Sequence, residues 1–101
     1  ELNNPADRLD IFLNINRPTN KSNVLVYARF KTSEESIENV PFEQIASPVI
    51  PISSTLNDYS EVAFTTEEDN DFTAFQIKIV IVSDNHWNVP TLKDFRAIAT
   101  T

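Results

Sequence analysis

The stretch Phe75-Gln76-Ile77-Lys78-Ile79-Val80-Ile81-Val82 sets the period by which the rest of the chain is read. Successive side chains of an extended strand point to opposite sides, so Phe75, Ile77, Ile79 and Ile81 share one face and Gln76, Lys78, Val80 and Val82 the other. Its β-branched and aromatic residues suit a pleated, half-buried surface. The C-terminal half is apolar on both faces, which predicts a central strand covered on both sides.

The same period recurs upstream. In 9–15, Leu9, Ile11, Leu13 and Ile15 fall on one face and Asp10 and Asn14 on the other. In 24–31, Val24, Val26, Ala28 and Phe30 point inward, with Leu25, Tyr27 and Arg29 outward. Between them lies Arg17-Pro18-Thr19-Asn20-Lys21-Ser22-Asn23, rich in turn formers, so the two strands are expected to form a hairpin. Residues 32–39 are polar and acidic, with room for one helical turn at Ser33 and Ser36-Ile37. Pro41, Pro48 and Pro51 forbid a central strand over 41–51, which reads as an extended edge segment with Phe42 and Ile45 against the core. Residues 59–66 alternate with Val62 and Phe64 inward, an acidic loop follows, 84–91 form a loop, and 95–100 close the chain as a strand. Six to eight short strands with turn-rich connections predict an all-β fold, a compact antiparallel β-sandwich of jelly-roll-like type.

Composition narrows the function. There is no glycine, no cysteine and no methionine among 101 residues, and there are six prolines. About seven glycines are usual at this length. Phosphate-binding loops, dinucleotide-binding turns, nucleophile elbows and EF-hands all need glycine where backbone turns sharply or approaches a ligand. Without cysteine there are no disulfides, zinc ribbons or thiol chemistry. A net charge of −7 argues against a nucleic-acid-binding face. Apolar runs such as Ile79-Val80-Ile81-Val82 are far too short to span a bilayer as a helix, so no membrane is expected as a partner. Asparagine and aspartate tolerate left-handed backbone best after glycine. Asn20, Asn23, Asn57, Asp58, Asp69, Asn70, Asp84, Asn85 and Asn88 all fall in the expected loops and are read as carrying the turns.

A chain of this length makes one domain, residues 1–101, and hides roughly 60–70% of its unfolded surface. Because it starts at Glu1, it is expected to be a processed chain or a fragment or C-terminal domain of a larger protein.

Few residues suggest chemistry. His86 lies in Ser83-Asp84-Asn85-His86-Trp87-Asn88. A histidine beside an aspartate can serve as a base, but catalysis also needs a nucleophile and an orienting group, and none is apparent. Glu67-Glu68-Asp69-Asn70-Asp71 puts four carboxylates in five residues. Calcium favours such oxygen-rich segments, yet the spacing matches no calcium loop, and a solvated loop is the plainer account. Trp87, His86 and Tyr59 are the candidate contact residues, as an aromatic platform for sugar rings or an anchor for a protein partner. The plainer alternative for Trp87 is a cap on one end of the core. No catalytic residue, metal ligand or cofactor is assigned, and the chain is expected not to be an enzyme.

One segment carries more than a fold. The run Phe72-Thr73-Ala74-Phe75-Gln76-Ile77-Lys78-Ile79-Val80-Ile81-Val82-Ser83 is followed by Asn85, by Val89-Pro90 and by Lys93-Asp94-Phe95-Arg96-Ala97-Ile98-Ala99. It resembles the closing segment of a β-rich module in virion structural proteins of tailed bacteriophages. There an aromatic pair leads into an I-K-I-V strand, a Ser/Thr-Asn loop, a Val-Pro step and K-D-L-R-A-I-A, with Phe95 here in place of the leucine. Arg8-Leu9-Asp10-Ile11-Phe12 and Val24-Leu25-Val26-Tyr27-Ala28-Arg29-Phe30 resemble the opening of the same module. The resemblance implies a tail, baseplate or fibre component, located in the virion, with other virion proteins as partners in a multimeric assembly. The alternative is a carbohydrate-binding sandwich that recognises a host glycan. Within the closing motif, Asp94 is expected to pair with Lys78 or Arg96 and so hold the register of the last strand.

Overall fold

The computed structural model describes residues 5–32, 36–84 and 88–101, with backbone only at 69–70. It is an antiparallel β-sandwich. Six strands are present among the described residues: β1 (Ala6–Asn16), β2 (Asn23–Lys31), β3 (Glu43–Gln44), β4 (Ser60–Phe72), β5 (Ala74–Val82) and β6 (Thr91–Thr100). They form two three-stranded sheets, ordered β4-β1-β6 and β3-β2-β5. A single 3-10 turn, Ile37–Asn39, precedes β3. Four of the five connections cross from one sheet to the other, which gives the chain its jelly-roll-like wrap.

The faces follow the sequence alternation closely. Leu9, Ile11, Leu13 and Ile15 from β1 meet Val24, Val26 and Ala28 from β2, all 0–1% exposed. Val62, Phe64 and Phe72 from β4 complete the core, with Ile45 and Ile50 from the proline-bearing segment. Phe72 lies 4.6 Å from the Phe30 ring and 6.2 Å from that of Phe75, tying the ends of β2, β4 and β5 together. Each fully buried aliphatic or aromatic side chain contributes about 1.5–3 kcal/mol by leaving water.

The layering differs from the expectation. β1 and β2 do not form a hairpin: β1 pairs with β4 and β6, and β2 with β3 and β5. The physical reason is that both strands carry a fully apolar face. Side by side, the two faces would need a third element to cover them; in opposite sheets they cover each other. The crossing is braced by polar groups. Arg17 donates from Nε to the Ser22 carbonyl at 2.7 Å and from Nη1 to the Ile50 carbonyl at 2.8 Å. Buried Asn16 donates from Nδ2 to the carbonyls of Thr55 at 2.8 Å and Asp58 at 2.9 Å.

Three further expectations are corrected. β5 lies at an edge of its sheet, not at the centre, and Ile81 and Val82 are exposed. The acidic run 67–71 is not a loop, because β4 continues through it and pairs Glu67 with Arg8 and Phe72 with Ala6. Phe42 stands half-buried beneath two cations rather than in the core, whereas Ile45 is buried as expected.

The absence of glycine is also resolved differently. Asn23 opens β2 and Asn70 lies within β4, so neither carries a turn. The one residue with positive φ among the described residues is Asp94, at 56°, inside β6. Register there slips between Phe12 and Asn14 of β1, so Asp94 and Phe95 together oppose Leu13. This is a bulge in which aspartate occupies the left-handed site that glycine usually fills. Asn14 Nδ2 donates to Asp94 Oδ2 at 2.9 Å and holds it there. Asp94 therefore does help set register, but through Asn14; Lys78 belongs to the other sheet, and Arg96 approaches Glu61 at 3.8 Å.

Two sets of variants test this account by urea denaturation. Phe64→Ala should cost about 3–5 kcal/mol, whereas Ile98→Ala, on the outer face of β6, should cost less than about 1 kcal/mol. Asp94→Gly should be more stable than Asp94→Ala by about 1 kcal/mol, since only glycine adopts positive φ without penalty.

Candidate interaction site

Of the three candidate contact residues named from sequence, Tyr59 alone is among the described residues. Tyr59 immediately precedes β4, where its hydroxyl shares a 3.0 Å hydrogen bond with Thr91 Oγ1 at the start of β6. Lys93 Nζ stands 4.2 Å from the centre of its ring. Because β1 lies between β4 and β6, this half-buried tyrosine bridges the two outer strands of its sheet. His86 and Trp87 lie outside the described residues. Around them, Ser83 Oγ donates to the Asn88 carbonyl at 3.1 Å and Pro90 is buried.

Across the acidic run the register of β4 against β1 shifts between the Arg8–Glu67 and Ala6–Phe72 pairs. Glu67 meets Arg8 at 3.5 Å, and Glu68 accepts from Thr66 Oγ1 at 3.3 Å. Among the described residues, no group of three or more histidine, aspartate or glutamate side chains stands ready to hold a metal ion.

The most ordered charge on the first sheet centres on Asp10. Arg8 Nε donates to both its oxygens, at 3.3 and 3.2 Å, and Thr65 Oγ1 donates at 2.8 Å from the neighbouring strand. The Arg8 hydrogen bond, then that of Thr65, holds the Asp10 carboxyl below its ordinary value of 3.8. Further along the same face, the Arg96 guanidinium lies 4.4 Å above the Phe12 ring.

The second sheet presents a cationic and aromatic outer face that no sequence motif marked. Lys78 Nζ on β5 lies 5.0 Å from the Tyr27 ring centre and 5.1 Å from that of Phe42. The Arg29 guanidinium lies 4.5 Å from the centre of the Phe42 ring and donates from Nε to Gln76 Oε1 at 2.8 Å. The parts were visible, because Tyr27, Arg29, Gln76 and Lys78 are all outward positions of alternating strands. What was missing was the pairing of β2 with β5, which sets Tyr27 opposite Lys78 and Arg29 opposite Gln76. Cations held over aromatic rings keep their charge while losing freedom, so Arg29 and Lys78 place positive charge on this face, with the Glu38 carboxylate within electrostatic reach of Arg29.

Large apolar side chains are exposed at Val49, Ile52 and Leu56 between β3 and β4, at Val89 before β6, and on two outer strands. Ile81 and Val82 end β5 at 45% and 38% exposure, and Phe95 and Ile98 on β6 reach 51% and 45%. Comparison with family models, with curated proteins and with solved structures found no match. What the chain shows is an antiparallel sandwich with exposed apolar side chains and with Arg29 and Lys78 over aromatic rings on one sheet face.

The depressed Asp10 carboxyl makes a pH prediction. A carboxyl whose folded value is lowered stabilises the fold above its unfolded value, and that contribution is lost as pH falls through the folded value. Stability measured by urea titration should therefore fall with acid below about pH 4, and Asp10→Asn should flatten part of that decline. An acid limb of unchanged slope in the variant would remove Asp10 from the account.

Proposed function

We propose that this chain is a non-enzymatic assembly module that makes protein–protein contacts within a larger particle. The observation that carries the reading is the placement of Ile81, Val82, Phe95 and Ile98 on outer strands of a sandwich whose core is otherwise complete. Large apolar side chains left in water at a sheet margin gain free energy when a partner covers them. The resemblance of 72–99 to the closing module of tailed-bacteriophage virion proteins suggests the particle: a tail, baseplate or fibre, with other virion proteins as partners.

The glycan-binding alternative draws no support from the described residues. Tyr59, the one candidate platform residue among them, already has its hydroxyl bonded to Thr91 and Lys93 over its ring.

Size-exclusion chromatography with light scattering, run on the chain mixed with the other structural proteins of its particle, tests the reading. The expected result is a complex of defined stoichiometry. A chain that stays strictly monomeric and unassociated in every mixture would overturn it.

A further inference from the structure

The sandwich has four outer strands, and three of them are built to refuse another strand. β3 is two residues long and lies in a segment carrying Pro41, Pro48 and Pro51. β4 carries Glu67, Glu68, Asp69 and Asp71. β6 is broken by the Asp94 bulge, with Lys93 and Arg96 beside it. Short strands, prolines, charge runs and bulges are the usual means by which sheet edges are kept from pairing. β5 has none of them. Its nine residues contain no proline and one charge, Lys78, and it pairs with β2 from Asn23↔Val82 to Lys31↔Ala74 without a register shift. No strand lies on its other side among the described residues.

The direction of its backbone groups follows from two hydrogen bonds. The Ile45 N–H donates to the Val26 carbonyl at 2.8 Å, so the backbone of Val26 faces β3. Alternation then turns Tyr27, Arg29 and Lys31 toward β5, in agreement with the Thr73 N–H donating to the Lys31 carbonyl at 2.8 Å. In the antiparallel register, Gln76, Lys78 and Val80 return those bonds to β2. Phe75, Ile77, Ile79 and Ile81 consequently direct their N–H and C=O groups to the open edge.

We propose that the open edge of β5 accepts an extended segment of a partner protein as a fourth strand of the β3-β2-β5 sheet, and that this segment alternates apolar and acidic residues. The proposal rests on the reading of the chain as an assembly module. Strand addition takes its affinity from main-chain hydrogen bonds and its selectivity from alternate side chains. An added strand would lay one set of side chains beside Phe75, Ile77, Ile79 and the exposed Ile81, which calls for apolar residues. The other set would lie beside Lys78, with Arg29 and Lys31 on the same face, which calls for carboxylates. A second copy of the chain fits less well, since its own β5 offers Lys78 and no carboxylate to this face.

The test uses a fluorescent nine-residue peptide of alternating valine and glutamate, its valine–lysine counterpart, and the intact chain, read by anisotropy. The acidic peptide should bind at least about tenfold more tightly than the basic one. Ile81→Pro removes an N–H from the open edge without touching the β2 ladder, and Lys78→Glu reverses the charge of an exposed side chain; each should weaken acidic-peptide binding at least about tenfold. Circular dichroism and a cooperative melt establish that each variant is folded, and Lys78→Glu alone decides if Ile81→Pro does not fold. Absence of binding, equal binding of both peptides, or binding indifferent to the folded variants overturns the proposal. So does a homodimer in light scattering that Ile81→Pro dissociates, because a second copy would then be the occupant. If the peptides fail while the chain still joins its particle proteins, assembly stands and this edge is not its means; if both fail, the assembly reading falls as well.

Discussion

The crossing between β1 and β2 is the constraint on which the rest of the sandwich depends. Within six residues the chain leaves one sheet and enters the other, so that the apolar faces of both strands turn into one shared core. Arg17 fills the inside of this crossing. Besides its bonds to Ser22 and Ile50, its backbone N–H donates to Ser53 Oγ at 3.0 Å and its carbonyl accepts the Ser53 N–H at 2.7 Å. One arginine thereby fixes the loop it belongs to and the segment that leads to β4. Buried Ser22 closes the loop by donating to the Thr19 carbonyl at 2.8 Å. A buried carbonyl left without its donor costs about 1–3 kcal/mol, so these polar groups secure the crossing as firmly as several core contacts would.

From that crossing follows an interlocked pair of arches. β4 and β5 are joined by Thr73 alone and repeat the crossing, with β4 beside β1 and β5 beside β2. The Phe30, Phe72 and Phe75 rings pack at the end where this second arch turns. Each sheet then receives one more strand, β6 in the first and β3 in the second. The two additions differ in kind. β6 is long and accommodates its mismatch with β1 through the Asp94 bulge, while β3 is kept to two residues by its prolines. Among the described residues, this asymmetry leaves β5 as the one long outer strand without a proline, a register shift or a run of charge.

The outer faces divide by charge. On the first sheet, acidic and basic groups are interleaved, as in Arg8–Asp10–Glu67 and Arg96–Glu61, and such exposed pairs contribute little to stability. On the second, Arg29 and Lys78 are held over aromatic rings. The chain is acidic as a whole, yet this face offers positive charge in a fixed array.

How much of this was legible depended on the range of the physics involved. The inward residues of β1, β2 and β4 were readable one strand at a time, because side-chain alternation is a property of the backbone itself. Ile45 in a proline-rich edge segment was readable for a similar reason, since proline withholds a ladder donor wherever it sits. The supposed hairpin, the central place given to β5 and the acidic loop were not, because each depended on which distant strand would cover or pair with the segment in question. Nor could the left-handed residue be found by scanning loops for asparagine: Asp94 lies inside a strand, where the register of β1 against β6 required one residue too many. The candidate interaction site is of the same kind, since Tyr27, Arg29 and Lys78 come from two strands and Phe42 from the residue before a third, with no shared motif. By itself, then, the sequence determined that the chain is all-β, which faces of β1, β2 and β4 turn inward, and that backbone needing glycine would be rare. Only the tertiary structure decided which sheet each strand joins and which edge stays open, because those outcomes are set by the mutual covering of faces far apart in the chain.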